Sequence, residues 1–530
     1  MSNRREAGGL YVENGKRILF MPLDERPCNY EFPFLLAKGT DCMPERPSLD
    51  IMGRKKTPGD TDRLWAWLEQ AAAGAHGAVL ALDTLLYGGI VPSRLHGMNG
   101  EQLLERLGRF RGLKSDHPEL RIYAFQLIMR CPQYSSADEE PDYYEDWGRE
   151  IFRKGFISHR KELGLATNNE LAELEDIDRR LPSDVLDDYL GRRAVNAALN
   201  RAALELVAEG VIEFLIIPQD DSAPYGYTAR DQEEIRRRIS ELGLELSVYM
   251  YPGADEVGCT LFARMVNKDT GRIPLIYPRL SSVQGAFVTP LYEDRYFYES
   301  LKYQVLAAGG LIVPSAAEAD LVLLVNTPGG TMSEASTQGR PMAGYDVLRN
   351  IAELAEFGGY MLFHEGKPVA VADVGYANGG DLKLIRLLRQ KNMMFSLAGY
   401  AGWNTSSNTL GTAIAQSMLF LHYGCTPEHL NFLALRYAED VCYCSLVRTE
   451  MNNGVVEAMG LSKFMLDGQR GQAAALIRTK LHQALEERIN GEDGWVEITD
   501  CYMPWNRTFE VGLSVSYHPV SAKHTAEQTV

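Results

Sequence analysis

Short apolar runs alternate with amphipathic helical patterns along most of the chain. Nine runs predict β-strands, at 17–23, 77–83, 120–128, 212–218, 244–251, 273–278, 321–326, 369–374 and 394–400. Several of them are apolar at consecutive positions, which is typical of strands covered on both faces in a parallel sheet. Between the strands, segments such as 229–244 place apolar residues on one stripe of a helix. The alternation predicts an α/β fold with right-handed crossovers.

The number of strands bears on the architecture. Nine is close to the eight strands of a (β/α)8 barrel, so we expect a barrel-like domain, with a doubly wound parallel sheet as the alternative. We assign an α/β catalytic domain to 1–412, and its rhythm is interrupted by a helical insertion at about 131–208. The remaining 413–530 is predicted as a mostly helical extension that ends in a β-hairpin.

The net charge of the chain limits the classes of partner that it is expected to bind. The 530 residues carry a formal net charge of −17, which argues against nucleic acid and anionic membranes, because both bind basic faces. No run approaches the roughly 18 apolar residues of a membrane span, and the N-terminal segment lacks the apolar core of a signal peptide. We expect a cytoplasmic protein that acts on a small carbohydrate-like molecule. Whether it forms a homo-oligomer is left open.

The usual motifs for metals and cofactors are missing from the sequence. The eight cysteines include no CxxC pair, and the ten histidines form no HExxH motif. No GxxxxGK[ST] loop, no GxGxxG after a strand and no GxSxG elbow occurs. We therefore expect no redox or nucleotide cofactor and no metal site built from histidine or cysteine.

Polar and aromatic residues cluster directly after the predicted strands. Examples are the segments DERPCNYEFP, QDDSAPYG and AGWNTSSNTLGT. In parallel α/β folds the C-terminal ends of the strands form one face, so these segments are expected to converge on a single pocket.

Two adjacent acids, Asp220 and Asp221, follow the apolar run 214–217. Close carboxylates push their pKa values apart, which leaves one group able to donate a proton while the other stays charged. Cleavage of a glycosidic bond requires this combination. The structural alternative is that Asp221 caps a turn and Asp220 pairs with an arginine.

Further candidates are charged, amide and aromatic side chains of the same segments. Glu256 is a candidate second catalytic carboxylate, although an acid in a first helical turn is also a common cap. Asp24 and Arg26 are expected to form an ion pair at the pocket floor, and Trp403 offers a plate for the face of a sugar ring. The candidates for substrate binding are Asp24, Arg26, Asp83, Tyr87, Tyr225, Asp255, Trp403, Asn404 and Asn408.

Five segments in order resemble those of a bacterial family of unknown function: PLDERPCNYEFP, DTLLYGGIVPSR, QDDSAPYG, YPGADEVG and AGWNTSSNTLGT. The resemblance runs from about residue 17 into the C-terminal region. It implies no activity.

A second, weaker likeness concerns function. The order of a strand, two aspartates and a helix, with a later Trp-Asn segment, is similar to that of barrel hexosaminidases of the bacterial O-GlcNAcase type. The likeness implies that Asp220 orients the substrate's acetamido group and that Asp221 is the general acid/base. It also implies that Asn404 binds hydroxyls and that Trp403 or Tyr225 lines the pocket. The acids after the fifth strand depart from that pattern and leave room for a mechanism with two carboxylates, Asp221 and Glu256.

The sequence as a whole predicts a glycoside hydrolase for small glycosides or oligosaccharides. One rival is a hydrolase that holds Mg²⁺ or Mn²⁺ through carboxylate oxygens. Its expected ligands are Asp24, Asp83, Asp220, Asp221 and Glu256. The other rival is a sugar-binding protein without catalytic activity.

Overall fold

Two parallel sheets form the centre of the protein. The structure, a computed structural model, describes residues 15–340, 342, 344–492 and 494–520. The first sheet contains β1 (Lys16–Met21), β2 (Cys42–Glu45), β3 (Gly77–Ala81), β4 (Arg121–Phe125), β5 (Phe214–Gln219) and β6 (Val248–Pro252). The second contains β7 (Leu275–Leu280), β8 (Leu311–Ile312), β9 (Leu321–Asn326), β10 (Val369–Asp373) and β11 (Gly399–Ala401).

The strand order is β2-β1-β3-β4-β5-β6 in the first sheet and β8-β7-β9-β10-β11 in the second. In both sheets the first strand lies between the second and the third, so the direction of winding reverses there. With right-handed crossovers, this reversal puts helices on both faces of a sheet. The barrel expected from the strand count is not formed, since the described strands make two open sheets, and the doubly wound alternative fits.

Each of the nine predicted strands overlaps an observed one, but the last, 394–400, begins with a 3₁₀ turn and becomes a strand only at Gly399. Two further strands were missed. β2 is only four residues long and contains Pro44, and β8 has two residues. Both are edge strands, where short and proline-containing segments are tolerated. A periodicity of two cannot be recognised in so few residues.

The helices connect and cover these strands. Those of the first half are α1 (Pro27–Tyr30), α2 (Phe32–Lys38), α3 (Thr61–Ala72), α4 (Leu82–Tyr87), α5 (Pro92–Leu95), α6 (Gly100–Asp116), α7 (Tyr144–Glu162), α8 (Asn168–Arg180), α9 (Ser183–Ala208) and α10 (Tyr227–Leu242). Those of the second half are α11 (Val257–Thr270), α12 (Phe297–Ala307), α13 (Ile351–Phe363), α14 (Leu382–Gln390), α15 (Ser406–Tyr423), α16 (Pro427–Arg436), α17 (Arg448–Glu450), α18 (Val456–Ala458) and α19 (Gln472–Arg488). Short 3₁₀ turns cover Gly285–Phe287, Ala335–Thr337 and Met394–Ser396.

The C-terminal part has an unusual helix. A π-helical stretch, Tyr437–Val447, precedes α17, and the chain kinks after α17 at Asn453 and Gly454, whose backbone angles are not helical. An antiparallel hairpin of β12 (Gly494–Tyr502) and β13 (Gly512–Pro519) follows α19. The π-helix is rare and frequently lies at functional sites. In the part of the chain that the structure describes, no helix combines the length and the apolar character needed to cross a lipid bilayer.

One hydrophobic core extends across both sheets. It contains Phe20 and Val79 of the first sheet and Val322 and Val371 of the second. Helix α11 connects the two sheets, and it packs against β3 and β4 on one side and against α12 and α15 on the other. Most of the circumference of α11 carries buried, largely apolar side chains, as expected of a helix that is covered on several sides. This shared core sets how the strand ends of the two sheets face each other.

Candidate functional site

A cavity of about 800 Å³ lies where the C-terminal strand ends of the two sheets meet. Loops that follow nine strands line it, including those that carry Ile90 after β3 and Tyr292 after β7. They contribute Arg26 after β1, Arg130 after β4, Asp220 and Asp221 after β5, Asp255 after β6, Glu334 after β9, Asn378 after β10 and Asn404 after β11. The segments 448–464 and 507–509 supply the rest of the wall. Ligands of open α/β sheets bind at this end of the strands, near the point where the winding reverses.

The two aspartates extend from a buried strand into this cavity. All six residues of β5 are buried, so the chain first meets the solvent-filled space at Asp220. Asp221 has a backbone φ of 40°, a left-handed conformation that is costly for a residue other than glycine. Asp220 Oδ2 accepts from Arg94 Nη2 at 2.8 Å, and Asp221 Oδ2 accepts from Arg130 Nη1 at 2.9 Å. The turn thus presents two carboxylates side by side, each held by an arginine.

The surroundings bring two of the cavity carboxyls close to neutral pH. Burial and the neighbouring Asp220 raise the pKa of Asp221 to about 7, although Arg130 opposes the shift. Burial raises the pKa of Asp255 to about 6, although Arg26 opposes it. Desolvation and like charges both disfavour the ionised form of an acid. A carboxyl with such a pKa can give or take a proton near pH 7.

Asp255 is held by residues from two other parts of the chain. Arg26 Nη2 donates to Asp255 Oδ1 at 2.7 Å and to Asp24 Oδ2 at 2.6 Å, so the predicted Asp24–Arg26 ion pair is present. Asn29 Nδ2 donates to both aspartates, at 2.9 and 3.0 Å. Asn404 Nδ2, from the second sheet, donates to Asp255 Oδ2 at 3.2 Å. This network ties the loops after β1, β6 and β11 together at the cavity floor.

Asn404 and Asn408 both act on the turn that carries Asp255. Asn404 has a φ of 51°, a left-handed conformation that asparagine adopts more readily than most residues. Asn408 Oδ1 accepts from the backbone nitrogens of Ala254 and Asp255, at 3.3 and 3.1 Å. Asn408 therefore positions the turn, and Asn404 lines the cavity.

Glu256 lies outside the cavity. It is fully buried, its Oε1 accepts from Gln304 Nε2 at 2.7 Å, and its Oε2 accepts from the Ala254 nitrogen at 2.9 Å. Burial raises its pKa to about 8. The structure therefore separates it from the aspartate pair, because its side chain turns into the interior between α11, α12 and α15.

Asp83 and Tyr87 also lie outside the cavity. Asp83 Oδ2 accepts from the Leu127 nitrogen at 2.9 Å, and burial raises its pKa to about 7. The Tyr87 hydroxyl donates to Asn196 Oδ1. Both side chains are buried and join neighbouring elements of the first half.

The two predicted aromatic plates do not border the main cavity. The Tyr225 ring lies on Phe156 of the helical segment α7, with ring centroids 5.5 Å apart. Trp403 is buried edge-on against Phe32, and its Nε1 donates to Thr412 Oγ1 at 3.2 Å. Trp403 borders a small neighbouring hollow of about 30 Å³ that it shares with Asn404.

Sequence reasoning missed an ionic cluster around the aspartates. Glu139 is its centre, because Arg94, Arg130 and Arg507 all donate to this carboxylate, at 3.1, 3.1 and 2.7 Å. These positive charges hold the pKa of Glu139 well below its usual range despite its burial. The acidic segment 138–140 lies in the region interpreted as an insertion, and its charge density was the only signal in the sequence.

Trp505 was missed as well. Two guanidinium groups lie over its ring, with Arg26 at 4.4 Å and Arg507 at 4.6 Å from the ring centroid. Its Nε1 donates to Glu25 Oε1 at 2.7 Å. Stacking of this kind stabilises both arginines in one orientation. Trp505 therefore joins the C-terminal part to the cavity floor.

The carboxylates expected to hold a divalent ion are not gathered at one point. Asp24 is paired with Arg26, and Asp83 and Glu256 lie outside the cavity. Among residues 15–340, 342, 344–492 and 494–520, no three His, Cys, Asp or Glu side chains are grouped as metal ligands.

The fold and the cavity define an α/β protein of two doubly wound sheets with a charged, partly enclosed site at their adjoining strand ends. The chain belongs to the family described as "Protein of unknown function (DUF4127)", whose model matches residues 18–514. This membership agrees with the resemblance of its five segments to a family of unknown function. No curated protein matches the chain. The likeness to barrel hexosaminidases stays a prediction.

Proposed function

We propose that the protein is a glycoside hydrolase for small glycosides or oligosaccharides, with Asp221 as the general acid/base. One observation carries the proposal: Asp221, with a pKa of about 7, borders a cavity of about 800 Å³ beside a second carboxylate. A proton donor of this strength suits the leaving oxygen of a glycoside at neutral pH. A volume of this size accommodates one or two sugar rings.

The lining of the cavity supports a polyhydroxylated ligand. Its amide side chains, which both donate and accept hydrogen bonds, match sugar hydroxyls: Asn378, Asn404, Asn452 and Asn453. Its aromatic side chains offer apolar faces on which the C–H groups of a ring can pack: Tyr134, Tyr292, Phe464 and Phe509.

In the proposed mechanism Asp255 replaces Glu256 as the second carboxyl, because Asp255 lines the cavity and Glu256 does not. Asp221 gives its proton to the glycosidic oxygen as the bond to the anomeric carbon breaks. Asp255 in its ionised form stabilises the positive charge that develops on the ring. A water molecule then bonds to the anomeric carbon and gives a proton back to Asp221, which restores the acid. On 2-acetamido sugars, Asp220 is placed beside Asp221 to orient the acetamido nitrogen, as the hexosaminidase likeness implies.

A sugar-binding protein without turnover is the second candidate. It is favoured by the position of the cavity between two sheets and by the arginine contacts of both aspartates. Ligand sites between two α/β units are common in proteins that close around a ligand.

The test is a screen of aryl glycosides, including 2-acetamido and plain hexosides, followed by Asp221→Asn. We expect turnover of glycosides with poor leaving groups to fall at least about 10²-fold, and turnover of activated aryl glycosides to fall less, because they need less protonation. In the wild type, kcat should decrease as the pH rises through about 7, where Asp221 loses its proton. Asp142→Asn is the control, since that carboxylate is fully exposed and outside the cavity.

Three results would count against this proposal. Equal losses of turnover on glycosides with poor leaving groups and on activated aryl glycosides would show that Asp221 acts in binding or structure. Ligand-induced stabilisation without turnover across the panel would favour the binding protein. Loss of activity with a chelator, and its return with Mg²⁺ or Mn²⁺, would favour a metal-dependent hydrolase.

A further inference from the structure

Two cations on the C-terminal wall of the cavity make no salt bridge among the described residues. They are Arg448, on α17 directly after the π-helical stretch 437–447, and Lys463. Arg448 donates through Nη1 to the Phe509 carbonyl at 2.8 Å and through Nη2 to the Asn378 carbonyl. The ammonium group of Lys463 lies 5.1 Å from the centroid of the Phe464 ring. Neither makes a salt bridge within the described chain, and the nearby Glu439, on which the charge of Arg448 acts, is itself paired with Arg436.

The other cations of the cavity differ in this respect. Arg26 is paired with two aspartates, Arg130 with four carboxylates, and Arg507 with Asp138, Glu139 and Glu510. These three arginines hold acidic side chains in place. Arg448 and Lys463 are thus the two positive groups of the described lining that remain available to a ligand.

Arg448 is fixed in position while most of its donors remain free. Its two hydrogen bonds join the loop after β10 to the segment before β13, and they use two of the five guanidinium N–H groups. Asn452, one turn further along the same helical segment, accepts from Thr508 Oγ1 at 2.7 Å through its oxygen. Its amide nitrogen has no hydrogen-bond partner among the described residues. Arg448, Asn452 and Lys463 therefore offer N–H donors at one wall, and two of the three are charged.

A group of donors with net positive charge recognises an oxyanion. We propose that this wall is a subsite for an anionic substituent of the ligand, a carboxylate, phosphate or sulfate group, so that the natural ligand is an acidic sugar. The sugar part of the inference rests on the proposed function. The protein has a net charge of −17, so an anion is attracted mainly to places where positive groups make no salt bridge, as at this wall of the cavity.

Binding measurements with three acidic probes and their neutral parent test the subsite. The methyl glycoside of glucuronic acid, methyl glucoside 6-phosphate and methyl glucoside 6-sulfate are compared with methyl glucoside by calorimetry and by thermal shift on the full chain. We expect at least one acidic probe to bind at least about tenfold more tightly than methyl glucoside. The preference should weaken with added salt, since both partners are charged.

Two variants each remove one positive charge from this wall, and a third removes a positive charge elsewhere as a control. Lys463→Met changes an exposed side chain and is expected to fold normally, whereas Arg448→Met also loses two carbonyl contacts. Each should reduce the affinity for the preferred acidic probe about tenfold and leave methyl glucoside unaffected. Arg470→Met is the matched control, because Arg470 is exposed, pairs with Asp500 and lies outside the cavity.

The outcomes separate this inference from the proposed function. If the acidic probes bind no better than methyl glucoside, or do not bind, or if Arg470→Met weakens binding as much as Lys463→Met, the subsite is wrong. If neutral aryl glycosides are hydrolysed and aryl glucuronides are not preferred, the hydrolase stands and the subsite falls. If an acidic probe binds in a manner that depends on Lys463 and no glycoside is turned over, the subsite stands and the hydrolase falls.

Discussion

Replacing Glu256 by glutamine is expected to change how the stability of the protein depends on pH. Glu256 is fully buried, accepts hydrogen bonds from Gln304 and from the Ala254 backbone, and has a pKa of about 8 in the folded state. Its ordinary value is 4.5. The folded protein therefore holds this proton more tightly than the unfolded chain does. Stability from this group is greatest below about pH 4.5 and declines as the pH rises towards 8.

The size of the effect follows from the two pKa values. One pKa unit corresponds to about 1.4 kcal/mol, so the contribution of Glu256 to the free energy of unfolding falls by up to about 4 kcal/mol between pH 5 and pH 8. Glutamine has nearly the same shape and no proton to lose. The unfolding free energy of Glu256→Gln should therefore rise by up to about 4 kcal/mol relative to that of the wild type between pH 5 and pH 8. This relative change is expected whatever the stability of the variant at pH 5. That amount is a large part of the stability of an ordinary domain.

Urea unfolding followed by tryptophan fluorescence, at pH 5, 6.5 and 8, measures this difference. The exposed Glu457→Gln serves as the control for a general change in net charge. The decisive quantity is the difference in unfolding free energy between Glu256→Gln and the wild type. If that difference were the same at all three pH values, Glu256 would not have the raised pKa that burial predicts, and the reasoning would fail.

Two further predictions concern packing around the site. Gly411→Ala should lower the free energy of unfolding by about 1–3 kcal/mol, because the added Cβ would overlap Glu256 Cγ. A variant that unfolds at the same urea midpoint as the wild type would contradict this expectation. Trp505→Ala should cost about 3–5 kcal/mol, since it removes a buried ring stacked on Arg26 and Arg507. Trp505→Phe keeps an aromatic face and should lose less; equal thermal shifts for the two variants would show that the stack contributes nothing.

Secondary structure was largely readable from local patterns. Consecutive apolar residues in 214–217 and 321–326 can be buried on both faces only in a sheet with helical layers, and both segments are strands of parallel sheets. The number of strands did not reveal the architecture. Whether a strand is added to one side of the sheet or the other depends on where its crossover helix packs, and that depends on the shape of distant surfaces.

The candidate site was predictable in part. Asp220, Asp221, Asp255, Arg26 and Asn404 line the cavity, as expected for polar residues placed after parallel strands. Glu256 was not distinguishable from Asp255, because both are acids at adjacent positions after the same strand. The two residues lie in the turn before α11, and the conformation of this turn directs one carboxyl to the cavity and the next into the interior.

Residues far apart in the chain were beyond prediction. Arg448, Lys463, Trp505 and Arg507 belong to the C-terminal part, where local sequence indicates only helices and a hairpin. They reach the cavity because that part of the chain packs across the strand ends of both sheets. Trp505 and Arg507 act through contacts with residues several hundred positions away, such as Arg26 and Glu139, and contacts of this kind leave no local pattern.

The sequence by itself determined the alternation of strands and helices, the parallel character of the sheets and the position of the polar turns, because each depends on neighbouring residues and a short period. Only the tertiary structure decided that the strands form two open sheets, that Asp221 meets a cavity and Glu256 does not, and which cations remain unpaired. These properties depend on burial and on distances between side chains, and both arise only when remote segments pack together.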